Sequence, residues 1–127
     1  MKNLFMDLGY LNVRHNVIYT KKKQKRQIDV EFYETTIFGK NKSICECKYR
    51  QNGYLDLEDA LAQLLSAKRF VKAGNLYLAT NFPIKNRDYI YKRTKVIVYD
   101  SIILQELDKV RGGNKSQSLE HKIAKIT

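Results

Sequence analysis

Two short segments limit the fold of this chain more than anything else in it: residues 27–32 (QIDVEF) and residues 44–50 (ICECKYR). Both carry the two-residue alternation of a β-strand. On the first, alternation sets Asp29 against a face made of Ile28, Val30 and Phe32. On the second, Glu46 and Lys48 share one face, with Cys45, Cys47 and Tyr49 on the other. If the two strands pair, Asp29, Glu46 and Lys48 converge on one patch. Two carboxylates can hold a divalent cation through oxygen ligands, and a nearby lysine can orient a water or stabilise charge on a phosphate. That donor set points to metal-dependent phosphodiester hydrolysis. An exposed salt-bridge ladder on two paired strands is the other use of the same three residues.

The charge balance agrees with a polyanionic partner. Lys and Arg total 24 against 13 Asp and Glu, a formal net charge of +11, which suits phosphate contacts and counterion release. The densest positive run is KKKQKR, in which Lys21, Lys22, Lys23, Lys25 and Arg26 form a candidate DNA-contacting turn that would track phosphates without reading bases. A second basic stretch at residues 85–95 interleaves Tyr89 and Tyr91. With 43% hydrophobic residues the chain can bury a core. No apolar run approaches the roughly 20 residues needed to span a bilayer, so a soluble, cytoplasmic protein with no membrane partner is expected. Cys45 and Cys47, two apart on one strand, are expected to be core residues without a disulfide.

Along the chain, residues 2–8 have helical spacing closed by Gly9, and residues 11–19 read as a strand. The basic turn leads to a strand at 28–33; Gly39 and Asn41 mark a turn before a strand at 43–49. After Gly53 the period changes. Leu57, Ala60, Leu61, Leu64, Leu65 and Ala67 recur at three and four, an amphipathic helix capped by Asp56 and closed by Gly74. Short apolar strands at 76–80 and 96–99 flank a helix at 86–93, and a last helix at 102–110 is capped by Ser101. This predicts one α/β domain over residues 1–111, a central mixed β-sheet flanked by helices. Residues 112–127 form a tail whose Leu119, Ile123 and Ile126 make a small helical stripe.

This order, together with Asp29 and the Glu46-Cys47-Lys48 triplet, resembles the PD-(D/E)xK nuclease superfamily, with its restriction-endonuclease-like αβββαβ core. The downstream half is similar to the Mrr-type and archaeal Holliday-junction-resolvase-like branch, through Gln63 in the helix after the acid-x-Lys strand, LATN at 78–81 and VIVYDSIILQEL at 96–107. The resemblance implies a Mg²⁺- or Mn²⁺-dependent DNA endonuclease working as a homodimer. Asp29 and Glu46 would ligate the metal, with the Cys47 carbonyl as a further ligand; Lys48 would position the attacking water, Gln63 would hydrogen-bond to the catalytic site or to a phosphate, and Arg50, next to the acid-x-Lys strand, is a candidate DNA contact. Many relatives carry an extra glutamate in a longer first helix; here Asp7 sits too close to Gly9 to be its substitute, and Glu31 and Glu34 are the alternative acids. The alternative is a nucleic-acid-binding module that keeps the fold without catalysis.

Overall fold

The computed structural model describes residues 2–49 and 56–112. The elements run α1 (Lys2–Asp7), β1 (Leu11–Lys21), β2 (Gln24–Thr36), β3 (Gly39–Lys48), α2 (Leu57–Val71), β4 (Asn75–Thr80), α3 (Arg87–Thr94), β5 (Val96–Tyr99) and α4 (Ser101–Gly112). The five strands form one mixed sheet in the order β1-β2-β3-β4-β5. The first three make an antiparallel meander, and β3, β4 and β5 are parallel neighbours. The meander strands are longer than their hydrophobic patterns suggest. Only Lys22 and Lys23 turn between the β1 and β2 pairs, because Lys21 pairs with Gln24. Likewise Thr36 pairs with Gly39, leaving Ile37 and Phe38 at the tip of the second hairpin.

Each face of the sheet covers a core. On one side Ile28, Ile44, Leu76, Leu78 and Val98 pack with Ala60, Leu61, Leu64 and Ala67 of α2 and Ile90 of α3. On the other, Val30, Phe32, Cys45, Tyr77 and Tyr99 pack with Leu4 and Phe5 of α1 and Ile103 and Leu107 of α4. Phe5 and Phe32 stack at 4.2 Å between ring centroids, the centre of an aromatic cluster. Strand β4 sits between two neighbours with a helix layer on either side, so it is buried almost throughout and shows no alternation.

Helix α2 forms because its apolar stripe meets the sheet and its ends are satisfied. Asp56 accepts from the Asp59 N–H at 3.1 Å as N-cap. Its C-terminal cap is Lys72, left-handed at φ +58°, instead of the expected Gly74. The Gly74 N–H instead donates to the Lys42 carbonyl at 2.8 Å, tying the helix exit to β3. Burying Leu61 and Leu64 contributes about 1.5–3 kcal/mol each, and truncating either to Ala would cost about 2–5 kcal/mol. The cap of α4 also differs from expectation. Asp100, one residue before Ser101, accepts from the Ile103 N–H at 3.0 Å and from the Ile84 N–H at 2.9 Å, and pairs with Arg87 at 2.7 Å. Among the described residues, no helix is long and apolar enough to cross a membrane.

Candidate active site

The site lies where β2 and β3 stop being a regular ladder. Their pairing runs from Thr36 and Gly39 to Val30 and Cys45. One step further, the Cys47 N–H donates to the Asp29 side chain, Oδ2, at 2.8 Å. A carboxylate here takes a donor that a regular ladder would give to a backbone carbonyl. The side-chain phase of β2 slips at the same point. Ile28 belongs to the α2 core, whereas Val30 and Phe32 belong to the α1 and α4 core. Residues two apart on a regular strand share a face, so the simple alternation expected for Ile28, Val30 and Phe32 is corrected. Asn16, which falls between the pairs Val17 with Ile28 and His15 with Val30, takes a left-handed φ of +52° opposite Asp29. The irregularity therefore spans both strands, and Asp29 reaches toward β3.

Strand β3 keeps its phase. Ile44 packs under α2 and Cys45 under the opposite helices, so Glu46 and Lys48 emerge on the α2 side and Cys47 on the other, as the alternation requires. Glu46 and Lys48 are 20% and 22% exposed and stand 3.3 Å apart. Burial pushes the Glu46 carboxyl above the ordinary range. The neighbouring Asp29 charge pushes it further, and Lys48 pulls it back down. Two half-buried carboxylates that repel each other beside one ammonium form a site with an unmet preference for positive charge. Burial also holds the Cys45 thiol well above its usual range, and both cysteines are free thiols.

These residues fit a hard cation. Asp29 and Glu46 supply carboxylate oxygens. An extended residue presents its N–H and C=O to the same strand edge, so the Cys47 carbonyl faces β2 together with the N–H that Asp29 holds. Among the described residues, no group of three His, Cys, Asp or Glu side chains could hold a metal ion. Any further ligands would be backbone, water or substrate oxygens, which Mg²⁺ accepts readily.

Other expected site residues lie elsewhere. Gln63 donates its amide Nε2 to Asp59 Oδ2 at 2.9 Å, one turn back along α2. Glu31, two residues after Asp29, is fully buried and meets Arg14, the Tyr19 hydroxyl and Lys42. Tyr49, which alternation puts on the face of Cys45 and Cys47, is 55% exposed. Arg50 and the stripe of Leu119, Ile123 and Ile126 fall outside the described residues.

The basic hairpin has structure that its sequence does not announce. Lys21, Lys22, Lys23, Gln24 and Arg26 line an open cleft of about 840 Å³ with Ser66, Arg69 and Phe70 of α2. Arg26 donates to Ser66 Oγ at 2.7 Å. Lys21 Nζ lies 5.2 Å and Arg26 Cζ 5.7 Å from the Phe70 ring centroid. Ser66, Arg69 and Phe70 recur at three and four, the spacing that places them on one helix face. In the second basic stretch two cations are committed internally, Arg87 to Asp100 and Arg93 to Glu58.

No family model matches the sequence, and no curated protein matches it. Among the solved structures that share its fold are the following three. AF1548, a protein of unknown function, aligns with a TM-score of 0.68 at 17% identity over 87% of this chain and 62% of its own. Can2 from Sulfobacillus thermosulfidooxidans, solved in complex with cyclic tetra-adenylate, aligns at 0.66 and 15% identity over 86% of this chain. VC1899 from Vibrio cholerae aligns at 0.57 and 20% identity over 89% of this chain. The chain spans 32% of the length of each of the last two. At these identities the likeness is one of fold: a mixed α/β architecture with a five-stranded central sheet flanked by helices.

Proposed function

We propose that this chain is a metal-dependent DNA endonuclease of the PD-(D/E)xK superfamily, with a restriction-endonuclease-like core in the manner of the Mrr-type and archaeal resolvase-like branch. One observation carries the reading. Asp29, Glu46 and Lys48, far apart in sequence, meet at the gap where β2 leaves β3, with the two carboxylates close enough to raise the Glu46 proton affinity. Asp29, Glu46 and the Cys47 carbonyl would hold Mg²⁺ or Mn²⁺. The metal, when bound, supplies Lewis acidity toward a phosphate oxygen and a more acidic water. Asp29 fixes the register of Cys47 and brings negative charge to the gap. Glu46 is ionised above its raised pKa and then offers its oxygens to a cation. Lys48 would hold the attacking water or the charge growing on the phosphate. The basic hairpin grips the DNA backbone.

A second reading rests on the two-carboxylate count and on Lys48 already paired to Glu46: a nucleic-acid-binding module of the same fold without catalysis. Labelled duplex, flap, junction and single-stranded DNA, incubated with and without Mg²⁺ or Mn²⁺, decide between the two. Metal-dependent cutting that Glu46→Gln abolishes supports the nuclease. Metal-independent binding with no product from any substrate establishes the module. A homodimer, which would let two sites cut two strands, predicts twice the 14.9 kDa chain mass by sedimentation equilibrium.

A further inference from the structure

The cleft between the basic hairpin and α2 has features that phosphate binding alone leaves unexplained. Five cations line it: Lys21, Lys22, Lys23, Arg26 and Arg69. Among the described residues, none of the five pairs with a carboxylate, whereas Arg14, Lys42, Lys48, Arg87, Arg93 and Lys109 all do. The field of the cluster is therefore open to an outside anion. The turn that carries it is strained. Lys22 sits at φ +54°, where glycine or asparagine is the usual residue.

The wall of the cleft is aromatic. Phe70 is the single aromatic residue of α2, and its ring lines the opening beneath the heads of Lys21 and Arg26. Contact with a duplex exterior calls for cations and hydrogen-bond donors, because paired bases keep their faces stacked inside. A ring beside a row of cations is the pattern of sites that take a base on an aromatic face and its phosphates on Lys and Arg. The size agrees: about 840 Å³ lies within the range of pockets for small molecules, roughly 300–1,000 Å³.

We propose that this cleft binds an unpaired stretch of DNA, one base stacking on Phe70 and the neighbouring phosphates held by Lys21, Lys23, Arg26 and Arg69. The incoming base displaces a cationic head from the ring, and that head moves onto the adjacent phosphate. Arg26 lies three residues before Asp29 on β2, about 10 Å along the strand. Its side chain meets α2, on the side of the sheet where Glu46 and Lys48 emerge. A strand leaving the cleft along β2 therefore runs toward the candidate active site. The choice of DNA rests on the nuclease reading; the preference for unpaired nucleotides rests on Phe70.

Binding is measured by fluorescence anisotropy in EDTA, where no metal-dependent turnover occurs. The probes are labelled oligo(dT) of about 15 nucleotides, the size of one such site, and a blunt duplex of equal length. The wild-type chain should prefer oligo(dT). Phe70→Leu should weaken oligo(dT) binding about tenfold, leave the duplex unchanged, and leave the salt slope unchanged. Phe70→Tyr keeps the ring and should stay within about twofold of wild type. Arg69→Ser should instead flatten the single-strand slope by about 0.7. An oligonucleotide carrying 5-iodouracil should crosslink to the peptide containing Phe70, which serves even if Phe70→Leu fails to fold. Equal losses on both probes, duplex preference, no binding, or a crosslink elsewhere overturns the proposal. A chain that cleaves DNA while Phe70→Leu binds like wild type refutes this cleft and leaves the nuclease reading intact. A chain that binds as proposed and cuts nothing in Mg²⁺ or Mn²⁺ does the reverse.

Discussion

Asp29 has two jobs that two substitutions pull apart. Its carboxylate is a proposed metal ligand, and its Oδ2 accepts the Cys47 N–H at 2.8 Å where the β2–β3 ladder gives out. Asp29→Asn keeps an oxygen in place to accept that N–H and removes the charge. Asp29→Ala removes both. The charge itself is unfavourable in the metal-free fold, since it helps raise the Glu46 pKa. Both variants therefore relieve the repulsion equally, and the difference between them isolates the hydrogen bond. Leaving a half-buried N–H without its partner costs about 1–2 kcal/mol. For a domain of this size that difference is a melting temperature roughly 4–8 °C lower for Asp29→Ala than for Asp29→Asn. Calorimetric unfolding in EDTA at neutral pH measures it, with Asp29→Asn at or slightly above wild type. Both variants should lose cleavage entirely. Equal stability of the two would refute the account of the gap, and cleavage by Asp29→Asn at the wild-type rate would refute the metal ligand.

Lys48→Ala should lower cleavage about a hundredfold or more while titration calorimetry shows Mn²⁺ binding retained. Because Lys48 pulls the Glu46 pKa down, its loss should move the acid limb of Mn²⁺ binding to higher pH. Lys22→Gly should relieve a left-handed lysine and stabilise the chain by about 1 kcal/mol in urea unfolding. The same change should flatten the salt dependence of DNA binding, by roughly 0.9 in slope for a duplex probe; an unchanged slope would show that the turn lies off the DNA. Asp100 is held below the usual carboxylate range, because burial, which opposes this, is outweighed by the N–H groups of Ile84 and Ile103 and by Arg87. Its stabilisation is present above the ordinary Asp pKa and fades as pH falls through the lower folded value. Asp100→Ala should therefore cost about 0.5–2 kcal/mol at neutral pH through the lost helix cap, with a smaller penalty in strong acid.

The sequence shows what depends on one element at a time. The alternation of residues 44–48 settles which side chains face α2, because β3 lies in the middle of the sheet and nothing interrupts its pleat. The three-and-four spacing from Leu57 to Ala67 settles the buried stripe of α2 for the same reason. Features that need a second element are absent from such patterns. The phase slip at Asp29 coincides with a bond to the Cys47 N–H, which comes from another strand. Glu31 is buried because Arg14 and Lys42, from the strands on either side, arrive to meet it; alternation gives a residue's face but not its depth. Phe70 looks like one more apolar residue of the stripe until the β1–β2 hairpin folds over α2 and lays two cations across its ring. Gln63 fails in the opposite direction. A polar residue among apolar ones invites a functional reading, yet Asp59, four residues earlier on the same helix, already satisfies its amide. The proposed metal ligation and strand gripping both lie in that second category. Each needs groups from two elements at once, so periodicity along one strand or helix can nominate the residues, and only the packing of one element on another can bring them together.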